Sequence, residues 1–393
     1  MKVQQENDLC KKNNNGSLKQ QLIYLILMIC VWFAEYSYTP YLVPYLKDLN
    51  SSYTVIGFVL ASYGLFQMIL RIPIGLLADR AGRMKAFLII EMATLVVASF
   101  FLAFARNPIM ILLGRTLTGV SSSFWICFIA LYQGNYEAEK KVRGASTITA
   151  ITSLGKMLGV LAALILFTYV SIRSIFLASF LATIPAFIAV FWLKETKVTH
   201  GQFAFRDVFA LLRNKMLIRC SFIIMLDQMV VFSTVYSYSS DLIEKQAGEA
   251  FIGPASFLLL FGMGVFPLLS TFVLSKYISN RKLLFIYFSA FISYILILPN
   301  VKSGLLILLL SFIAGAASAS LFGILMGLAS STVDKKHRTL AVGIFQTAVA
   351  IGMTAGPPIF SLIMEKTNAK IGFLSTALLL IVCLLLQINV FAK

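Results

Sequence analysis

The chain has 393 residues and a formal net charge of +17, yet only 12% of its residues are charged and 59% are hydrophobic. Soluble globular domains carry about twice that charged fraction. The composition therefore excludes a soluble protein and favours one that is embedded in a lipid bilayer. The basic residues are spread over many short segments and form no single patch, which excludes a nucleic-acid-binding role.

Twelve apolar stretches have the length of a membrane-spanning helix. The hydrocarbon core of a bilayer needs about 20 apolar residues per helix. No water satisfies the backbone there, so each stretch is predicted to be helical, and the runs are too long and too uniformly apolar for β-barrel strands. The predicted fold class is an all-α polytopic membrane protein with spans 1 to 12 at 22–46, 54–77, 86–104, 108–132, 145–168, 172–193, 217–240, 251–275, 282–299, 303–328, 339–363 and 370–391.

The charges between the spans predict the orientation. The first apolar run is longer than a signal-peptide core and lacks a cleavage pattern, so we expect it to be retained as span 1. Lysine and arginine crowd into the N-terminal tail and every second gap. The positive-inside rule then predicts a multi-pass protein of the cell membrane with both termini in the cytoplasm. The intervening gaps hold only Lys47, Arg106, Arg173, Lys245, Lys302, Lys366 and Lys370.

The longest gap divides the spans six from six. Its apolar residues fit a short helix at the inner membrane surface or, equally well, a linker with a few buried side chains. The predicted organisation is an N-terminal cytoplasmic tail at 1–21, a six-helix bundle at 22–193, a central cytoplasmic loop at 194–216 and a second six-helix bundle at 217–393.

The two halves resemble each other. Gly155 and Gly159 in span 5 match Gly352 and Gly356 in span 11, and a similar basic segment precedes each of these spans. Both halves run in the same direction through the membrane, which is typical of parallel repeats about an axis normal to the membrane. Such repeats place a substrate site between the halves at mid-depth.

The hairpin between spans 2 and 3 carries the most specific motif. Residues 75–85 read GLLADRAGRMK. This segment resembles the Gly-x-Leu-x-Asp-Arg-x-Gly-Arg-Arg/Lys signature of the major facilitator superfamily. The resemblance implies two pseudo-symmetric six-helix bundles that carry a small-molecule substrate. We also expect no enzyme activity, no cofactor and a protein that functions as a monomer.

The same motif fits a cytoplasmic gate. A small residue such as Gly75 permits close helix approach, and Gly82 permits a tight turn. In the family, the acid that matches Asp79 bridges the two halves at span 11 and holds the outward-facing state, so the resemblance implies that role for Asp79. An ordinary basic loop is the alternative. The candidate gate residues are Gly75, Asp79, Arg80, Gly82, Arg83 and Arg143.

A few charged residues interrupt the apolar spans. Charges at mid-depth cost a few kcal/mol and usually face the bundle interior. We interpret them as a functional set around a cavity, with structural ion pairs as the alternative. Arg71 and Glu91 lie nearer the inner boundary, where we expect snorkelling or gate contacts. The charges nearest mid-span are Glu35, Arg115, Lys156 and Asp227.

Glu35 is the first candidate for proton coupling. A carboxylate balanced between burial and a nearby base can take up a proton on one side of the membrane and release it on the other. Arg115, within residues 114–119, resembles the Arg…Gly pattern in span 4 of many proton-coupled family members. Asp227, taken as the pseudo-symmetric partner of Glu35, is the competing acid.

Helical spacing groups other polar residues with these charges. The predicted lining of the substrate cavity is Tyr38, Thr39, Thr118, Ser122, Thr149, Thr152 and Lys156. By contrast, we expect Tyr36, Tyr41 and Tyr45 in the outer half of span 1 to anchor the membrane interface.

Span 5 resembles the antiporter motif of bacterial drug/proton antiporters through Gly155 and Gly159. It departs from that motif at Val160, where the family has proline, and at Ala162 and Ala163, where the family has glycines. Close packing of Gly155, Gly159, Gly352 and Gly356 against other helices is an equal interpretation.

The sequence contains no phosphate-binding loop, so transport energy would come from an ion or solute gradient. The five cysteines lack metal-ligand spacing, and His200 and His337 lie in predicted loops, so we expect no metal. The leading prediction is proton-coupled efflux of an amphiphilic solute or drug from a bacterial cell. The alternatives are uptake of a sugar or organic acid, by symport or facilitated diffusion, and a non-transporting membrane sensor.

Overall fold

The computed structural model describes the backbone of residues 2–134, 141–195, 209–334 and 338–390. Within these ranges it leaves out the side chains of 2–18, 79, 130, 133–134, 141–147, 149–150, 338–339 and 389–390. Most of the predicted central loop, with His200, lies outside the described residues, as does His337.

Twelve helices long and apolar enough to cross a membrane make up most of the described chain, and the described ranges contain no strand. The predicted all-α fold with twelve spans is therefore confirmed. Because the described spans are even in number, the start of the first span and the end of the last lie on one side, here called the inner end; the opposite side is the outer end. In chain order, α1 to α12 are Lys19–Asp48, Tyr53–Ala78, Met84–Ala103, Pro108–Ile129, Ile151–Tyr169, Ile172–Trp192, Lys215–Ala247, Glu249–Tyr277, Asn280–Asn300, Gly304–Ser331, Leu340–Lys366 and Ala369–Ile388.

The residues at the two ends of α2 explain where it starts and stops. The side chain of Ser52 accepts the N–H of Val55 and so satisfies a free donor of the first turn. At the inner end, the helix continues past the span to Ala81, and Gly82, which follows it, adopts φ +60° and bonds through its N–H to the carbonyl of Ala78. Glycine tolerates this left-handed conformation because it has no Cβ. The tight turn predicted at Gly82 is present.

Both α1 and α7 depart from regular helix where they border the centre of the molecule. In α1, regular helix ends at Ser37, and a 3-10 turn at Thr39–Tyr41 follows around Pro40, which has no N–H to donate. In α7, a π-helical turn covers Thr234–Tyr238. Irregular turns of this kind often occur at functional sites. Residues of both turns line one central cavity.

Glycines bring α5 close to α1 in the first half. A Cβ added to Gly155 would lie 3.0 Å from the carbonyl oxygen of Ile29, and one added to Gly159 would lie 2.7 Å from that of Phe33. Larger side chains would push the two helices apart, which is the usual reason for small residues at helix contacts in membranes.

The second half repeats this contact. Gly352 of α11 packs against the carbonyl of Met225 in α7, and Gly356 packs against that of Met229. Glycines that correspond in the sequence therefore make corresponding contacts, α5 on α1 and α11 on α7. This agrees with the parallel repeat inferred from the sequence.

The two halves meet mainly towards the outer end. Gly57 of α2 packs against Ser361 of α11, and Gly253 of α8 packs against Leu164 of α5. Towards the inner end, a Cβ added to Gly343 of α11 would meet no atom within 4 Å. The contacts between the halves therefore enclose the central cavity from the outer side.

The prediction that Tyr36, Tyr41 and Tyr45 anchor the membrane interface is wrong. Tyr41 is fully buried and stacks on Phe167 of α5, with ring centroids 4.6 Å apart. Tyr45 is also buried, and Tyr36 faces the central cavity. The reason is the position of α1, which contacts helices of both halves and keeps these rings away from the lipid.

Candidate functional site

The central cavity lies between the halves and has two adjoining parts. One part borders α1, α2, α4 and α7, and the other borders α1, α5, α7, α8 and α10. Both parts share the side chains of Tyr36, Thr39, Tyr236 and Ser237. The cavity therefore lies where the sequence repeats predict a substrate site.

Glu35 of α1 lines the first part of the cavity and is 4% exposed. Ser122 of α4 donates its hydroxyl to Oε1 of Glu35 at 2.5 Å, and Tyr63 of α2 donates to Oε2 at 3.4 Å. Three helices of the first half therefore fix the carboxyl group. Ser122, a predicted cavity residue, lies behind the carboxyl as its hydrogen-bond donor.

Arg115 of α4 lines the same part of the cavity and is 7% exposed. Its Nη1 donates to the hydroxyl of Tyr38 at 2.8 Å, and its Cζ lies 4.5 Å from the ring centroid of Tyr63. Its buried Nε has no hydrogen-bond partner. Tyr38 is fully buried behind the guanidinium, so its contact is with Arg115.

A close contact between helices places Tyr63 between these two charges. Gly119 of α4 packs directly against the backbone carbonyl of Tyr63 in α2. The Tyr63 side chain then reaches Glu35 with its hydroxyl and Arg115 with its ring. Glu35 and Arg115 are thus linked through Tyr63, and the ion pairs within 4.0 Å in the described part of the chain lie at the outer end instead.

Lys156 of α5 is partly buried among aromatic rings. Its Nζ lies 4.3 Å from the ring centroid of Trp32 and 4.5 Å from that of Tyr36, both on α1. Cation–π contacts of this kind contribute about 0.5–2 kcal/mol. Tyr36 in turn contacts Tyr236 of α7 edge-on, with centroids 5.9 Å apart. This chain of contacts connects Lys156 to the opposite half of the protein.

Asp227 of α7 does not correspond to Glu35. The glycine contacts pair Met225 and Met229 of α7 with Ile29 and Phe33 of α1, so Asp227 occupies the place of Val31. Its side chain is 0% exposed, accepts from Nε2 of Gln228 at 3.0 Å, and has no partner for Oδ1. It packs inside the second half, near Cys383 of α12, and does not line the central cavity.

The other predicted cavity residues differ in position. Thr39 lines both parts of the cavity. Thr118 is buried and donates its hydroxyl to the carbonyl of Gly114 in its own helix, so it faces away from the cavity. Thr152 is buried in α5, and the side chain of Thr149 lies outside the described residues.

Glu91 of α3 is fully buried among apolar side chains, so the expected snorkelling is wrong for this residue. Its Oε2 has no hydrogen-bond partner. Arg71 is partly buried. Among the described residues, no group of three or more His, Cys, Asp or Glu side chains could hold a metal ion.

Sequence reasoning missed a wall of serines on the side of the second half. Several of their hydroxyls donate to the backbone of their own helix; Ser239, for example, bonds to the carbonyl of Val235 at 3.2 Å. The hydroxyl oxygens remain available as acceptors. The serine-rich run at 233–240 is the sequence feature that could have indicated this wall. The cavity-lining serines are Ser237, Ser239, Ser240, Ser256 and Ser311.

An ion pair closes the outer end. Lys47, at the end of α1, pairs with Asp241 of α7. Tyr53 donates to Oδ2 of Asp241 at 3.0 Å, and Lys245 lies 3.2 Å from the same oxygen. Within the described ranges, further hydrogen bonds between the two halves lie at this end, for example from the N–H of Thr54 to Oε2 of Glu365 at 3.2 Å. We call Lys47, Tyr53, Asp241 and Lys245 the outer gate.

The predicted inner gate is only partly described. Arg80 and Arg83 are exposed, and the side chains of Asp79 and Arg143 lie outside the described residues. Gly75 lies against Ile126 of α4. The hairpin itself is attached to its own half, because the N–H of Lys85 bonds to Oε2 of Glu195 at 3.2 Å and its Nζ bonds to the carbonyl of Phe191 at 2.7 Å.

Solved structures with the same fold are membrane transporters. The nucleoside transporter NupG is 16% identical with a TM-score of 0.75, and the match covers 96% of this chain and 99% of that one. A bacterial homologue of the human lysosomal transporter Spinster, in an inward-facing and unoccupied conformation, is 14% identical with a TM-score of 0.76, over 95% and 97% of the two chains. The human organic anion transporter MFSD10 is 15% identical with a TM-score of 0.68, over 94% and 99%. These identities show the fold alone.

Sequence comparisons identify the family. An uncharacterized transporter of Buchnera aphidicola subsp. Schizaphis graminum is 25% identical over 183 residues, which is 46% of this chain and 46% of that protein. The match thus spans about half the length of this relative. The family model of the Major Facilitator Superfamily matches residues 24–301 and 245–392, nearly the whole chain. The chain belongs to the major facilitator superfamily, a family of membrane transporters and not of enzymes.

Proposed function

We propose that the chain is a secondary transporter that moves a small polar solute by alternating access, with Glu35 as the proton-coupling acid. The observation that carries this proposal is the central cavity. It lies between the two halves, is lined by Glu35, Arg115 and hydroxyl groups, and is closed at the outer end by ion pairs. An ion or solute gradient can drive transport through such a site, because the two halves can rock around it and expose it to each side of the membrane in turn.

The surroundings of Glu35 suit a group that gains and loses a proton. Ser122 and Tyr63 both place hydroxyls at its carboxyl oxygens. A hydroxyl can donate to a carboxylate and can accept from a carboxylic acid. Glu35 can therefore keep hydrogen bonds in both protonation states. Asp227, which has one amide donor and does not line the cavity, is the weaker candidate.

Two gates support alternating access. The outer gate joins the halves through Lys47 and Asp241 in this conformation. In the alternate conformation, we propose that the inner gate closes through Asp79, Arg80, Gly82 and Arg83, with Arg143 as partner. Release of one gate while the other forms would expose the cavity to each side in turn.

The lining of the cavity favours a polar solute, because serines form much of the wall on the side of the second half. The second candidate is efflux of an amphiphilic compound, which the aromatic rings of Tyr36, Phe232 and Tyr236 in the cavity lining favour. We place the protein in a bacterial cell membrane with both termini in the cytoplasm, acting as a monomer.

The test is transport by the purified protein in proteoliposomes that contain a pH indicator. The probes are glucose, uridine and gluconate as polar solutes, and tetraphenylphosphonium as an amphiphile; uridine is included because NupG carries nucleosides. We expect at least one polar solute to move in response to a pH gradient, together with protons, and an ionophore to abolish the movement. Proton-linked movement of tetraphenylphosphonium alone would favour efflux of amphiphiles. Absence of movement for every probe would contradict the transport proposal.

A further inference from the structure

We propose that the central site binds a hydroxylated organic anion, with the anionic group of the solute against Lys156 and its hydroxyl groups along the serine wall. This inference rests on the proposed function, since it names the class of solute that the cavity carries. It also predicts that the anion and the proton bind together.

The charged side chains around the cavity favour an anion. Arg115 and Glu35 line the cavity, and Lys156 lies over the ring of Tyr36, which lines both of its parts. Arg115 and Lys156 each supply a positive charge, and Glu35 supplies a negative charge when it is ionised. Asp227 is buried inside the second half and does not line the cavity. Glu91 is close enough to Glu35 to interact with it, but it is buried among apolar side chains and does not line the cavity either. With Glu35 ionised, the side chains of Arg115, Lys156 and Glu35 therefore leave a net positive charge, and a bound monoanion brings the total close to zero. Such a field attracts anions and repels lipophilic cations.

Hydrogen-bond donors without partners favour the same class of solute. Nε of Arg115 and Nε1 of Trp32 are buried without a hydrogen-bond partner, and Arg115 is more than nine-tenths buried at the cavity wall. Lys156 lies over aromatic rings and, within the described ranges, forms no ion pair. A buried donor without a hydrogen-bond partner destabilises the protein, and binding of an acceptor removes that penalty. Anionic groups offer only acceptors, so they match this set.

Binding of the anion is coupled to binding of the proton. An anion bound at Lys156 enters the field of Glu35, because Lys156 and Glu35 are close enough to interact. A protonated Glu35 repels the anion less than an ionised one, so each ligand strengthens binding of the other. The titratable and charged groups that face Glu35 are Tyr36 on α1, Tyr63 on α2, Glu91 on α3, Arg115 on α4 and Lys156 on α5.

Such linkage favours symport. A monoanion and a proton would cross together as a neutral pair, and an inward proton gradient would drive uptake. The inference thus supports the uptake of an organic acid and disfavours proton-coupled efflux of a cationic amphiphile.

The experiment measures binding and transport with matched pairs of probes of similar size. Gluconate is compared with sorbitol, glucuronate with glucose, and quinate with inositol; tetraphenylphosphonium represents amphiphilic cations. Titration calorimetry on the purified full-length protein, repeated in buffers with different heats of ionisation, reports both affinity and protons taken up. Proteoliposome transport of the same probes runs beside it.

We expect anions to bind with proton uptake and their neutral partners to bind far more weakly. Lys156→Gln should weaken anion binding roughly tenfold to a hundredfold, because a charged hydrogen-bond donor is lost. Lys156→Arg should retain most of the affinity, and Lys366→Gln, an exposed lysine outside the cavity, should change nothing. Glu35→Gln should bind anions without proton uptake.

The contradicting outcomes are distinct. Equal anion affinity in the native protein and Lys156→Gln would overturn the position of the anionic group. Transport of sorbitol, glucose, inositol or tetraphenylphosphonium, with none of the anions bound, would overturn the anionic class and leave the proposed transport function standing. If no probe were bound or carried, both proposals would fall.

Discussion

Lys47 and Asp241 form an ion pair that joins the end of α1 to α7, although 194 positions separate them in the chain. Asp241 is almost completely buried, and Tyr53 and Lys245 also contact its carboxylate. A charge held this firmly at the contact of two halves stabilises the conformation in which they touch. The pair therefore explains why the outer end is closed in this structure.

The outer gate can be tested by removing one charge. Asp241→Asn should weaken the closed outer end by about 1–3 kcal/mol, because it leaves Lys47 without its charged partner. In a variant without native cysteines, Ser240→Cys in the cavity wall should then react faster with an impermeant maleimide from outside. Lys370→Gln, at the same end but outside the gate, is the control. Rescue by exchanging the charges at Lys47 and Asp241 would confirm the pair; unchanged labelling in Asp241→Asn would contradict the gate.

The close approach of α11 to α7 predicts a difference between two glycines. Gly356→Ala should lower the midpoint of thermal unfolding in detergent. The Cβ of the new alanine would collide with the backbone of Met229, and moving either helix away would disrupt its other contacts. Gly323→Ala in α10 should leave the midpoint unchanged or raise it slightly, since a Cβ there meets no atom within 4 Å and alanine favours helix. Equal midpoints for the two variants would argue against tight packing.

The inner gate predicts a kinetic effect of Asp79→Asn. This substitution removes a charge with little change of volume, so we expect normal expression and slower transport. Asp48→Asn, an exposed acid at the outer end, serves as the control. Native transport rates in Asp79→Asn would show that this carboxylate does not act as a latch in this chain.

The orientation predicts the pattern of surface labelling. A cysteine at Ser52, which is exposed at the outer end, should react with an impermeant reagent in intact cells. A cysteine at Lys140, in a basic segment of the inside, should react only after the cells are permeabilised. The reverse pattern would invert the topology.

Much of the fold followed from the sequence, because bilayer thickness and the backbone's need for hydrogen bonds leave few choices. The twelve spans and the repeat marked by Gly155 and Gly352 are examples. Glu35 and Arg115 were predictable cavity residues for the same reason: a charge in an apolar span has few places to face.

Other features depended on helix rotation, which hydropathy does not fix. The position of Asp227 along its span suggests Glu35 as its counterpart, but the helix contacts pair Asp227 with Val31. The side chain of Asp227 therefore points into the interior of the second bundle. The outer gate was missed because Lys47 and Asp241 are distant in sequence, and only the meeting of α1 with α7 brings them together.

Proton coupling through Glu35 is the central claim, and Glu35→Gln tests it most directly. The amide mimics a permanently protonated carboxyl, so solute exchange without a gradient should continue while a pH gradient no longer drives accumulation. Asp227→Asn is the matched control, because it alters an equally buried acid that does not line the cavity. The decisive measurement is accumulation of the transported probe in proteoliposomes under an imposed pH gradient. We predict loss of accumulation in Glu35→Gln and its retention in Asp227→Asn; full accumulation in Glu35→Gln would contradict the account.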